Sequence, residues 1–216
     1  MPIVVYLDKE NDPGFDVKMK LINEVKPFQK FRVVENLEEK VMREFISWVR
    51  FVTYRGDYSY LMLAKNEAIN EYTNRMKAGH NKDSDDSDDV DLSDVFKGTD
   101  LRPHSLESER IVWEKIGELA HEQLNRYPQT LEEDLELLSK DDKEGFLSYN
   151  CRNCVLFRSG EKKILRFLTQ TSERMLYLSK LNQKEAKKQM NLYADFDVCQ
   201  DYFKSVFLPI LPESSK

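Results

Sequence analysis

Two cysteines three positions apart, "CRNC" at Cys151–Cys154, are the residues best typed and spaced for chemistry in this chain. A zinc site built on them needs two more ligands, with Cys199 and one of His80, His104 or His121 on offer. Zinc knuckles hold such a pair in a tight turn. Here the surrounding pattern is helical: Leu147, Cys151, Cys154 and Val155 fall on one apolar face, so both thiols are expected in the core as small hydrophobes. A thioredoxin-type reading lacks its βαβ context. No metal site and no catalytic residue is assigned.

The other candidates yield to similar arguments. "RSGEKKIL" (Arg158–Leu165) has a glycine and two lysines, but a phosphate loop needs several glycines after a strand and a Lys-Ser/Thr pair. Gly160 inside a helix costs roughly 1 kcal/mol against alanine, which predicts close approach of another helix or a slight kink. Glu132, Glu133 and Asp134 open a helix, where the macrodipole favours acids. His121 lies among Glu118, Glu122 and Gln123 on a polar side, and His80 and His104 flank an acidic stretch. Arg152, Arg158, Lys162, Lys163 and Arg166 recur along one long helix and read as a salt-bridged surface, with the acidic helix before them as one partner.

The elements that must position these residues are helical. "NDPG" (Asn11–Gly14) is a turn, followed by a helix limited by Pro27. Asn36 and Glu39 form a capping-box pattern, and the helix they open carries Leu37, Val41, Phe45, Trp48 and Val52 on a stripe expected to be core. Ser105 caps a helix whose stripe is Trp113, Ile116, Ala120, Leu124 and Tyr127. Thr130 with Glu133 is a second capping box. Helix formers dominate from Gly145 to Leu181, and a last amphipathic segment covers 183–208. "IVVYL" (Ile3–Leu7) and "KFRVVE" (Lys30–Glu35) are short extended segments. The expectation is an all-α, bundle-like or orthogonal domain of about six or seven helices with a short extended N-terminal segment. The helical domain is assigned to 15–76 and 104–208, with a lead over 1–14, a disordered acidic insertion over 77–103 and a tail over 209–216.

Composition narrows the function. The chain of 216 residues is 33% charged and 40% hydrophobic, with 7 Gly and 7 Pro, a balance that favours helices over sandwiches. The net charge is −6. Asp83–Asp94 carries seven aspartates and no base, so the remainder sits at −6 + 7 = +1. A near-neutral fold is a poor nucleic-acid binder. No stretch approaches the 18 apolar residues of a membrane span. Three cysteines and no recognisable leader suggest a reducing intracellular compartment, cytoplasmic or nuclear.

Three stretches together resemble a known family. "VVYLDKENDPGFDVKMKLI", "LEEKVMREFISWVRFV" with Arg50, and "YPQTLEEDLELL … CVLFRSGEKKIL" are similar, in order and spacing, to the C-terminal substrate-binding lobe of Rubisco large-subunit methyltransferase-like SET-domain proteins. The similarity covers Val4 to about Leu178 apart from the acidic insertion. It implies an all-α lobe that packs on a SET core, in cis or in trans, and holds a protein substrate for a lysine (or histidine) methyltransferase using S-adenosylmethionine. The family's catalytic motifs are not found in this sequence, so this chain alone is expected neither to bind that cofactor nor to methylate. The signature residues Arg50, Thr130, Glu133, Asp134, Arg158, Gly160, Glu161 and Lys162 are expected to be structural, Glu161 and Lys162 by locking neighbouring helices. The alternative reading is a stand-alone helical adaptor without enzyme activity. A metal-dependent hydrolase or redox protein built on "CRNC" is a third.

Overall fold

A computed structural model describes residues 7, 9–25, 39–56, 102–191 and 199–213. Among them are seven α-helices and no strand, the all-α architecture the periodicity implies. The extended segments Ile3–Leu7 and Lys30–Glu35, the Asn36 cap, the helix after Asp57 and the 77–101 part of the acidic stretch lie almost wholly outside the described residues.

Helix α1 (Phe15–Val25) begins at the Asp12-Pro13-Gly14 turn. The Gly14 N–H donates to Asp12 Oδ1 at 2.9 Å, and the Phe15 N–H donates to the Asp12 carbonyl at 3.0 Å. Helix α2 (Glu39–Thr53) buries Met42, Phe45, Ile46, Val49 and Val52. This face is rotated from the expected stripe, for Trp48 is only partly buried and stacks on Phe51 at a centroid distance of 5.6 Å. Ile46 and Val49, not Trp48, are the residues wholly removed from solvent.

Helix α3 (Leu106–Leu124) starts at Ser105, whose hydroxyl accepts from the Ser108 N–H while Ser108 reaches back to the Ser105 N–H. Reciprocal capping satisfies two of the orphan donors at a helix start. Trp113, Ile116 and Ala120 are buried as their spacing predicts. Helix α4 (Leu131–Glu144) has the Thr130–Glu133 capping box and ends at Gly145, whose φ of 65° is the left-handed conformation a glycine adopts without strain. Helix α5 (Tyr149–Leu178) is the 30-residue spine of the fold.

The most extensive helix contact is between α3 and α5. They pack tightly at Gly117, where a Cβ would lie 2.5 Å from Ser172 Oγ; that hydroxyl donates to the Trp113 carbonyl at 2.5 Å. The expected close approach at Gly160 is not found: a Cβ there would meet nothing within 4 Å. Within these two helices the close-packed glycine is Gly117, ten residues before the motif that starts at Tyr127.

The final amphipathic segment is interrupted. It comprises α6 (Gln183–Met190), a short α7 (Gln200–Tyr202), a wide π turn over Phe203–Phe207 and a tight turn over Leu208–Ile210. Phe203, Phe207 and Leu208 join the core shared by α2, α3 and α5. Leu211, in the stretch read as a tail, is buried in that core, and the Gln183 N–H donates to the Pro212 carbonyl at 3.0 Å.

Candidate functional site

The α4–α5 hairpin is held by a ladder of ion pairs that fixes which face of α5 looks outward. Asp134, in the first turn of α4, is buried. Arg158 Nε and Nη2 donate to its Oδ1 at 2.8 and 2.5 Å, and Lys162 Nζ donates to its Oδ2 at 2.5 Å. Burial works against this carboxylate, but the hydrogen bonds from Arg158 and Lys162 outweigh it and hold its pKa below the usual range. Lys162, also buried, donates to the Thr130 carbonyl at 3.2 Å and lies 5.0 Å above the Tyr127 ring. The Tyr127 hydroxyl donates to Glu161 Oε2 at 2.5 Å. Burial and that contact with Glu161 push the tyrosine pKa up.

The ladder continues at the surface. Arg166 forks onto Glu132 at 2.5 and 2.9 Å, which holds that carboxyl at about 2. Arg152 bridges Asp141 at 2.7 Å and Asp142 at 2.6 Å. Asp141 also accepts from the Leu147 N–H at 2.6 Å, so it anchors the turn into α5. The macrodipole is therefore only part of the reason for the acids that open α4. Glu133 closes the cap, while Glu132 and Asp134 receive the cations of α5.

Arg152 and Arg158 are the only charged residues between Tyr149 and Gly160, and both are turned to α4. What remains outward on this half of α5 is uncharged: Tyr149, Asn150, Cys151, Asn153, Cys154, Leu156 and Phe157, with Phe146 just before the helix. Tyr149 is 79% and Phe157 67% exposed. Single exposed apolar residues are unremarkable, but a run of aromatics on one charge-free helix face suits a partner surface.

Two further buried ionic clusters lie outside the hairpin. Arg50 Nε and Nη2 each donate to Glu109 at 2.8 Å, and Nη2 donates to the Tyr202 hydroxyl at 3.0 Å. The Tyr202 hydroxyl itself donates to Glu109, so α2, α3 and α7 meet at one fully hydrogen-bonded point. Just beyond Arg50, at the C-terminal end of α2, Lys18 Nζ donates to Asp12 Oδ2 at 2.7 Å and to the carbonyls of Val52 and Tyr54 at 2.8 and 2.7 Å. Arg55 Nη1 donates to Asp12 at 3.0 Å and to the same two carbonyls. Burial brings Lys18 down to about 8 against the pull of Asp12. Asp12 stays below its usual range because Lys18, the Gly14 N–H and Arg55 outweigh its desolvation.

The structure thus brings Thr130, Glu133, Asp134, Arg158 and Lys162 together, with Glu161 beside them on Tyr127, and puts Arg50 in a separate cluster. Gly160 stands open on the outer face. Cys151 and Cys154 are a correction: both are exposed, because Val155, Ser159 and Lys162 form the inward face of this part of α5, rotated by about 60° from where the apolar pattern put it. Only Cys199 is buried. His104 and His121 are exposed, and no group of three or more potential metal ligands occurs among the described residues. Asp12, Lys18, Glu109 and Tyr202 escaped sequence reasoning. The one visible signal was Lys18, a cation at a position where α1 should be apolar.

The sequence matches the family described as "Rubisco LSMT substrate-binding" over residues 9–165. The chain belongs to this family. The match starts before the Asp12–Lys18 cluster and ends at Leu165 inside α5, so it contains Arg50 and the whole Thr130–Lys162 ladder. A Rubisco LSMT substrate-binding domain is typical of SET-domain methyltransferases. No curated protein and no solved structure matches the chain. Among the described residues, no helix is long and apolar enough to cross a membrane.

Proposed function

We propose that this chain is the substrate-recognition lobe of a SET-type protein-lysine N-methyltransferase: it holds a protein substrate while a SET core carries out methyl transfer. The family match over residues 9–165 carries this reading. The outward face of α5 supplies the contact. Its Tyr149, Leu156 and Phe157 stand on a stretch of helix whose two charges, Arg152 and Arg158, are committed to α4, so the bound segment is apolar and uncharged; a charged segment would give up hydration there without a counter-charge. The ladder beneath serves to fix that face, which is the structural role we assign to Thr130, Glu133, Asp134, Arg158, Glu161 and Lys162. Arg50 plays the same part for the α2–α3 platform.

S-adenosylmethionine is the methyl donor that membership of the family implies. The described residues do not fit it. The buried acids Asp12, Glu109, Asp134 and Asp141, which would have to receive a sulfonium or a ribose, are each occupied by internal cations. The donor's site is assigned to the SET core.

A photo-crosslinking residue at position 157, introduced into the protein in its own cells, tests the proposal. The captured protein should carry N-methyl-lysine, and Tyr149→Asp with Phe157→Asp should lower both capture and methylation. Capture of a protein whose methylation is indifferent to those substitutions would identify an adaptor instead.

A further inference from the structure

The sequence motif that the proposed function leaves unused is "CRNC". We propose that Cys151 and Cys154 form a reversible dithiol/disulfide site that reacts with small disulfides of the glutathione type. The site rests on three observations. Both thiols are exposed, whereas Cys199 is wholly buried. They stand three residues apart on one helix, which puts their Cβ atoms roughly 5–6 Å apart. The turn that carries them is lightly held.

A disulfide needs Cβ atoms about 3.5–4.5 Å apart, so this turn must tighten by about an ångström or more. A 3₁₀ turn does this, because residues i and i+3 eclipse in it. Little resists the change. Tyr149, Asn150, Cys151, Asn153 and Cys154 are all exposed. The Ser148 hydroxyl holds the Cys151 N–H through a long 3.3 Å bond. Arg152 reaches α4 through a flexible side chain, and Val155 is the first buried residue of the helix. The rest of α5 is pinned by its ion ladder and core, so tightening is confined to its first turns.

The exchange balances in two steps. One cysteine thiolate attacks a sulfur of the small disulfide; a mixed disulfide forms and one small thiolate leaves. The neighbouring cysteine thiolate then attacks the protein sulfur of the mixed disulfide and expels the second small thiolate. The two cysteines lose two electrons and two protons, and one small disulfide is reduced to two thiols. Because closure bends the turn away from its relaxed geometry, the protein disulfide is readily reduced again.

The test treats the purified full chain with oxidised glutathione, followed by alkylation, intact mass and peptide mapping. The expected product is an internal disulfide in the Cys151–Cys154 peptide that excess reduced glutathione reverses, with Cys199 modified only after denaturation. Cys151→Ser and Cys154→Ser should each stop at a single glutathione adduct. A native protein that ends with a stable adduct on each thiol, or with neither thiol modified, overturns the proposal. Both positions are exposed, so an unchanged circular dichroism spectrum of the serine variants verifies that they are folded.

Discussion

Two ends of this lobe use the same three residue types for opposite tasks. Asp12, Lys18 and Arg55 gather at the C-terminal end of α2, and Asp134, Arg158 and Lys162 gather at the N-terminal end of α4. In each the aspartate and the lysine are fully buried and the arginine is partly exposed. At the end of α2 the lysine is the hub: its three protons go to one carboxylate and two orphan carbonyls, and its charge meets the negative end of the helix dipole. At the start of α4 the aspartate is the hub: it takes both cations from α5 and lies at the positive end of a dipole. The difference shows that a buried charge is tolerated where its valence of hydrogen bonds is filled, and that the helix end decides which sign sits at the centre.

Removing a hub should cost more than removing one of a hub's partners. Asp134→Ala should cost roughly 3–5 kcal/mol, since it strands a buried lysine with only one carbonyl and a ring face. Asp12→Ala should cost less, roughly 2–3 kcal/mol, because Lys18 keeps two carbonyl partners. Urea unfolding of the two variants checks the order, and a reversed order would break the hub argument.

Next in size is the pH response, where the two hubs act at opposite ends of the scale. Asp134 has a folded pKa below 3.8, so its contribution is present above that value and is lost as pH falls through the folded pKa. Lys18 has a folded pKa of about 8 against 10.5 unfolded, so the unfolded chain holds more protons between those values and the contribution of this group rises with pH across that window. Asp134→Asn should flatten the acid limb of the stability curve. Lys18→Met should flatten the alkaline rise from about 8 to 10.5 and leave the acid limb intact.

Much of this was legible in the sequence, and the limits have physical causes. The two caps at Ser105 and Thr130 and the Trp113 stripe were readable because they are local: a hydroxyl before an apolar-periodic run, and spacing of three and four. The pairing of α5's cations with α4's acids was visible as a possibility because the two runs are adjacent in sequence. Arg50 with Glu109 and Tyr202 was not, since its partners lie 59 and 152 residues away. The cysteines were misplaced because the outer face of α5 is itself apolar: Leu156 and Phe157 make the helix apolar on more than one side, and periodicity alone cannot tell which side packs. Trp48 was misplaced for the related reason that its spacing from Phe45 and Val52 fits the stripe, whereas the buried face centres on Ile46 and Val49 and leaves Trp48 partly buried against the smaller cluster of Leu21, Phe51, Val52 and Tyr54.

The smallest expected effects concern two glycines, and they test whether the hairpin's outer face is open. Gly117 and Gly160 occupy the interiors of the two longest helices, and from propensity alone Gly→Ala should stabilise at both by up to about 1 kcal/mol. At Gly117 the new methyl meets the Ser172 hydroxyl at 2.5 Å and its Cβ at 3.1 Å, so the serine must turn and release the Trp113 carbonyl. That reverses the sign, with a net loss of about 1–2 kcal/mol. At Gly160 nothing lies within 4 Å, so the propensity gain survives as about 0.5–1 kcal/mol of added stability. The same substitution at Gly160 extends the outward face by one methyl. If that face holds the substrate, Gly160→Ala should change binding while raising the melting temperature, a separation of stability from affinity that a purely structural glycine would not give.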